Sequence, residues 1–215
     1  LEELNINYWS HGPHYQFRDS IVFITWRLAG TMPARILNIF RQLKASEKNL
    51  NTIRDLKMIE AENARLFRLY NEYDLNMASW HTPGFSLNDE ALAAIVTGAF
   101  HFYAGEKYEL HAYCVMSNHV HLLIRALKRK NGDYYHIADL VRDLKRHTAS
   151  EMNKMLGRRG QFWDDHYFDR IIRNERNYLA VVGYILQNPV VAGLVGKSEF
   201  WKDSFYDPKY KWGRD

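Results

Sequence analysis

Two runs rich in apolar and aromatic residues, KYELHAYCVM (107–116) and HVHLLIRA (119–126), are separated only by Ser117 and Asn118. A connection that short joins neighbouring strands as an antiparallel hairpin, because a parallel crossover needs a dozen or more residues. Alternate side chains of a strand point to opposite faces, so His119, His121 and Leu123 share one face and Val120, Leu122 and Ile124 the other. Two imidazoles one step apart are either the polar residues of a wet sheet edge or a grip on a metal ion. The pair by itself leaves both readings open.

Other elements follow from periodicity. SIVFITWRLAG (20–30) reads as a buried strand ending at Gly30. Pro33 opens a helical stretch, and Ile53, Leu56, Ile59, Leu66 and Tyr70 then form one stripe broken only by Asn63. This predicts a helical insertion over about 33–75, a packed helical hairpin in preference to a dimerising coiled coil. After the turn HTPGF comes a helix starting at SLNDEAL, capped by Ser86 or Asn88. The loop KRKNGDYY leads into an amphipathic helix from about His136 to Leu156, and HYFDRIIR (166–173) is a short strand. Asn174 caps a last helix, ERNYLAVVGYILQ, which should stop near Asn188 because Pro189 follows. The tail over about 197–215 should wrap the surface. With the insertion set aside, the order is βαββαβα. This describes one α+β domain spanning 1–215: a ferredoxin-like split βαβ sandwich, with helices on one face of an antiparallel sheet and a ligand on the other.

Composition narrows the setting. The lone cysteine, Cys114, excludes an internal disulfide framework and a cysteine-based zinc site, which suits a reducing cytoplasm. The N-terminus carries no cationic leader followed by an apolar segment, and no run of about eighteen apolar residues predicts a membrane span. A net charge of +4, from 29 Lys and Arg against 25 Asp and Glu, admits a polyanionic partner. Its distribution says more. Arg142, Lys145 and Arg146 recur at helical spacing, Arg158 and Arg159 follow, and Arg170, Arg173 and Arg176 come next. One such cluster is ordinarily a solvated helix face; three in the same half of the chain point toward a polyanion.

The last helix offers Tyr184 and, four residues on, Asn188, which share one helical face. An amide oxygen suits a hard divalent ion, and a phenol beside that ion can act as a nucleophile. The plainer reading also stands: a core tyrosine with its hydroxyl at the rim, and an asparagine ending a helix before proline.

Three strings, PHYQFRDSIVFITWRLAG (13–30), AYCVMSNHVHLLI (112–124) and FWDDHYFDRIIRNERNYLAVVGYILQNPVVAGLV (162–195), resemble the REP-associated tyrosine transposases of the single-tyrosine His-hydrophobe-His (HUH) transposase superfamily. The likeness runs from about Pro13 to Trp201, interrupted by the insertion, whose role it does not explain. It implies that His119 and His121 are paired metal ligands, that Asn188 takes the third ligand place with Gln187 one residue off register, and that Tyr184 is the nucleophile. It further implies Mg²⁺ or Mn²⁺ as cofactor, a 5′-phosphotyrosine intermediate, and a substrate of single-stranded DNA with a REP hairpin and flanking tetranucleotide. Compact relatives imply a monomer working in cis, with a dimer left open by the insertion, in the nucleoid-bearing cytoplasm of a bacterium. Against such a substrate Lys145, Arg146, Arg142, Arg170 and Arg173 are the candidate phosphate contacts, and Trp163, Tyr167 and Phe168 the candidate stacking residues. Two rival readings are a hairpin-binding protein without catalysis and a zinc hydrolase built on the same histidines. The second ranks last, since the chain has no His-Glu-x-x-His and no acidic residue at an obvious partner spacing.

Overall fold

The computed structural model describes residues 4–8, 13–17, 19–30 and 85–211, and the insertion expected over about 33–75 lies outside them. An antiparallel hairpin pairs β1 (Leu4–Tyr8) with β2 (Pro13–Phe17). The domain is then built from β3 (Ile21–Arg27), α1 (Glu90–Phe102), β4 (Tyr108–Val115), β5 (His119–Ala126), α2 (Ile137–Met155), β6 (Phe168–Ile171), α3 (Glu175–Val191), a 3-10 turn at Ser198–Phe200 and β7 (Ser204–Tyr206). Strands β3 to β7 form one five-stranded sheet, antiparallel throughout, in the order β6-β3-β5-β4-β7. The mixed architecture with an antiparallel sheet is the one expected from the sequence.

All residues of β3 and β5 are buried, as central strands covered on both faces must be. On one face Val22, Ile24, Trp26, Val120 and Leu122 pack against Val96 and Phe100 of α1 and Leu140 and Leu144 of α2. On the other, Phe23, Cys114 and Leu123 pack against Tyr178, Val181, Val182 and Ile185 of α3. Those four lie at i, i+3, i+4 and i+7, an apolar stripe that has to be buried somewhere. The expectation that helices cover a single face is therefore corrected: α1 and α2 take one side and α3 the other. A register shift between Leu110 and Ala112 inverts the alternation of β4, so that Leu110 and Tyr113 face one core and Ala112 and Cys114 the other.

Three local expectations change. The first helix is capped by Asp89, whose carboxylate accepts from the backbone N–H groups of Ala91 and Leu92, and not by Ser86 or Asn88. Ser86 instead holds the preceding turn, donating to the carbonyl of Ser117 and accepting from the N–H of Asn88. Helix α3 does not stop at Asn188; it runs through the buried Pro189 to Val191. Proline removes one intrahelical bond, but the turn after it is still closed by Ala192 N–H to Asn188 O and Leu194 N–H to Pro189 O. The C-terminal tail does more than wrap the surface: residues 204–206 add strand β7 to the edge of β4, and the Trp201 indole donates to the carbonyl of Val115. Asn174 caps α3 as expected, accepting from the N–H of Asn177 at 2.8 Å.

Candidate active site

Strand alternation puts His119 and His121 on the sheet face that α3 covers. Both are 0% exposed, so neither belongs to a wet edge. Their Nε2 atoms stand 3.1 Å apart. Each ring is anchored by its other nitrogen: Nδ1 of His119 lies 2.7 Å from Oδ1 of Asn118, and Nδ1 of His121 lies 2.8 Å from Oγ1 of Thr25. An amide oxygen only accepts, so the His119 proton sits on Nδ1 and the Nε2 lone pair faces inward. Register places Thr25 directly across from His121 on β3. Phe23, two residues before it on the same face, stacks on the His121 ring at 5.7 Å.

Helix α3 brings the rest. The Asn188 amide approaches Nε2 of His121 at 3.0 Å through its nitrogen, and a half-turn of the amide offers its oxygen to the same point. One turn earlier, the half-buried Tyr184 ring stands 5.6 Å from that of His121 and 6.1 Å from that of Phe23, both edge-to-face. The four residues nominated from the sequence, His119, His121, Tyr184 and Asn188, therefore meet in one place.

The donor set passes a simple test for a metal. Two nitrogens bound at about 2.1 Å on adjacent corners of an octahedron lie about 3.0 Å apart, close to the observed separation. Among the described residues no group of three or more His, Cys, Asp or Glu could hold a metal ion. Two imidazoles and an amide leave positions open for water and a phosphate oxygen, as a catalytic ion requires.

Beside the histidines runs a charged row that sequence reasoning missed. Arg27 faces His119 in the β3–β5 register and is itself buried, ion-paired to Asp164. Asp164 also accepts from the backbone N–H and Nδ1 of His166, each at 3.0 Å. Burial pushes the Asp164 carboxyl up, but the Arg27 guanidinium and the His166 hydrogen bonds outweigh it, and the net direction is down. A separation of 137 residues between Arg27 and its partner hid this row from any local pattern.

The candidate phosphate contacts are dispersed. Arg146 is open, its side chain 79% exposed and 3.6 Å from Asp143. Arg142 pairs with Asp139 at 2.8 Å and lies 3.6 Å from Asp143. Lys145 is turned inward, its ammonium donating to the carbonyls of Asp164, Asp165 and His166, and burial lowers its pKa to about 8. Arg170 is half-buried on β6 opposite Phe23, and Arg173 is exposed just beyond that strand. Trp163, Tyr167 and Phe168 are buried in the two cores, which removes the open ring face that stacking on a base needs.

Residues 88–188, from the start of α1 to Asn188, match the family described as Transposase IS200 like. A curated relative from Haemophilus influenzae, named "Putative REP-associated tyrosine transposase", is 25% identical over 104 residues, covering 46% of this chain and 59% of that protein's length. A solved structure described as the REP associates tyrosine transposase bound to a REP hairpin aligns over 91% of this chain and 82% of its own, with a TM-score of 0.50 and 16% identity. At that identity the likeness is one of fold. The resemblance expected from the sequence is borne out.

Proposed function

We propose that this chain, similar to the IS200-like transposases over residues 88–188, is a metal-dependent endonuclease and strand transferase acting on single-stranded DNA that carries REP-type hairpins. The observation that supports the reading best is the meeting of His119 Nε2, His121 Nε2 and the Asn188 amide beside the Tyr184 ring. The solved relative of similar fold is bound to a REP hairpin, which supports the substrate class.

His119, His121 and Asn188 would hold a Mg²⁺ or Mn²⁺ ion, which when bound supplies Lewis acidity at a non-bridging oxygen of one DNA phosphate. A free phenol, with a pKa near 10, is ionised to only about one part in a thousand at pH 7, so a cation nearby favours the attacking form. Tyr184 then attacks phosphorus in line. The tyrosyl oxygen–phosphorus bond forms, the bond to the 3′ oxygen breaks, and that oxygen leaves as a 3′-OH after taking a proton. The product is a 5′-phosphotyrosine. Because one phosphoester replaces another, a second 3′-OH can reverse the step and join a different strand without ATP. Tyr184 stands beside His121 of its own chain, which supports a monomer working in cis.

The test is cleavage of labelled single-stranded hairpin oligonucleotides with Mn²⁺ or with EDTA, comparing the native chain with Tyr184→Phe and His121→Ala. The proposal expects cutting by the native chain with Mn²⁺ alone, and hairpin binding retained in all three. Binding without cutting under every condition would instead make the chain a hairpin-binding protein.

A further inference from the structure

The row of side chains that begins at His119 continues onto β3. In the β3–β5 register Thr25 stands opposite His121 and Arg27 opposite His119. The N–H of Leu28 donates to the carbonyl of Asn118 at 2.8 Å, which makes those two a hydrogen-bonded pair. Pair types alternate along an antiparallel ladder. Thr25–His121 and Arg27–His119 are therefore both of the closer, non-hydrogen-bonded kind, with Cα atoms about 4.5 Å apart. Alternation along β3 puts Phe23, Thr25 and Arg27 on the face that carries both histidines.

The Arg27 side chain is 8% exposed, and among the described residues Asp164 is the one hydrogen-bond partner of its guanidinium. Asp164 itself is fixed from several sides. Its N–H donates to the Arg27 carbonyl at 2.8 Å, its carbonyl accepts from the Lys145 ammonium, and its Oδ1 accepts from His166. The carboxylate is thus locked in place, whereas a guanidinium has five N–H groups and gives only one of its two Nη atoms to Oδ2. Stability alone does not account for such a pair, because apolar side chains of similar volume often hold two elements together as well. A planar fork with an edge still to fill, buried beside His119, suits a second anion.

We infer that Arg27 donates to a non-bridging oxygen of the DNA phosphate attacked by Tyr184, the oxygen left over when the other faces His119 and His121. Negative charge on that oxygen grows as the tyrosyl bond forms, and a cation already fixed in place stabilises it without reorganising. Asp164 is the positioning residue that aims the fork. The inference rests on the DNA-cleaving reading above and adds a catalytic cation to it.

The test uses a hairpin oligonucleotide modified at the phosphate the native chain cuts. That phosphate is either the ordinary diester or one of two methylphosphonate diastereomers, in which an uncharged methyl group replaces one non-bridging oxygen. The native chain is compared with Arg27→Lys, which keeps a cation opposite Asp164 but loses the fork. It is also compared with Arg27→Met combined with Asp164→Asn, which leaves no buried charge unpaired. Binding in EDTA is read first. One diastereomer should bind the native chain about tenfold more weakly than the diester does, and should bind each variant within about twofold of the diester. Mn²⁺ affinity, measured by calorimetry, should be unchanged in both variants. Cutting of the diester should fall about a hundredfold in the double variant, and saturating Mn²⁺ should not restore it. The same diastereomer should then be cut by the double variant about tenfold faster than the diester is. Equal sensitivity of native chain and variants to both diastereomers, in binding and in cutting, would make the pair a structural clamp. That result would overturn the inference and leave the proposed chemistry intact. A native chain that binds the hairpin and cuts no phosphate would overturn both.

Discussion

Oδ1 of Asn118 lies 2.7 Å from Nδ1 of His119, the next residue in the chain, and that contact decides which nitrogen of His119 faces the site. Thr25 does the same for His121 from the neighbouring strand, at 2.8 Å. Both supports are buried, so neither has water to replace it. Partners of this kind typically alter metal affinity by about ten- to a hundredfold when removed. Asn118→Ala and Thr25→Val should each weaken Mn²⁺ binding by at least about tenfold in calorimetric titration. Saturating Mn²⁺ should then restore DNA cutting, an outcome that separates ring orientation from a direct part in the reaction.

The Arg27–Asp164 pair makes a prediction about pH. The Asp164 carboxyl titrates below its ordinary value, because Arg27 and His166 outweigh the upward push of burial. A depressed carboxyl contributes stability that is complete above its unfolded value of about 4 and is lost as pH falls through the lower folded one. Asp164→Asn leaves the buried guanidinium uncompensated and should cost about 3 kcal/mol at pH 7. Thermal unfolding at pH 7, 5 and 3 should show the gap between native and variant closing only below about pH 4.

Lys145 makes a prediction of the same sign in a higher pH window. Burial lowers its pKa to about 8, against the pull of Asp164 and Asp165 upward. Between that value and the unfolded one of about 10.4, the unfolded chain binds the proton and the folded chain does not, so this residue makes stability rise with pH across the interval. Carbon-detected NMR of labelled lysine should find one ammonium titrating near pH 8, absent in Lys145→Met. A Lys145 midpoint near 10.4 would contradict the inward placement.

The shared faces were readable because each depends on local geometry, whereas the roles given to these residues came only from the family resemblance. Period-two alternation put His119 and His121 on one face, and helical spacing put Tyr184 and Asn188 on another. Their convergence was implied only by the resemblance and not by any local pattern, since it depends on α3 lying across the sheet, 67 residues from His121 to Asn188. Pro189 suggested a helix end at Asn188, yet tertiary packing of the buried proline carried α3 onward and kept Asn188 on the Tyr184 face. Lys145 looked like a solvent-facing cation because helical periodicity cannot register three carbonyls offered by a loop about twenty residues away. Strand β7 was lost for want of a run longer than three residues. The hairpin at the N-terminus did carry its signal, the alternation of Leu4, Ile6 and Tyr8 with Asn5 and Asn7.

The central claim is that Tyr184, beside His119, His121 and Asn188, becomes covalently joined to DNA. The most direct measurement incubates the native chain with a single-stranded hairpin oligonucleotide and Mn²⁺, digests both components and maps the adduct by mass spectrometry. The account predicts a 5′-nucleotide phosphate on the peptide containing Tyr184, and none when EDTA is present. An adduct on a different tyrosine, Tyr178 for example, or a cut strand with no protein attached, would contradict it.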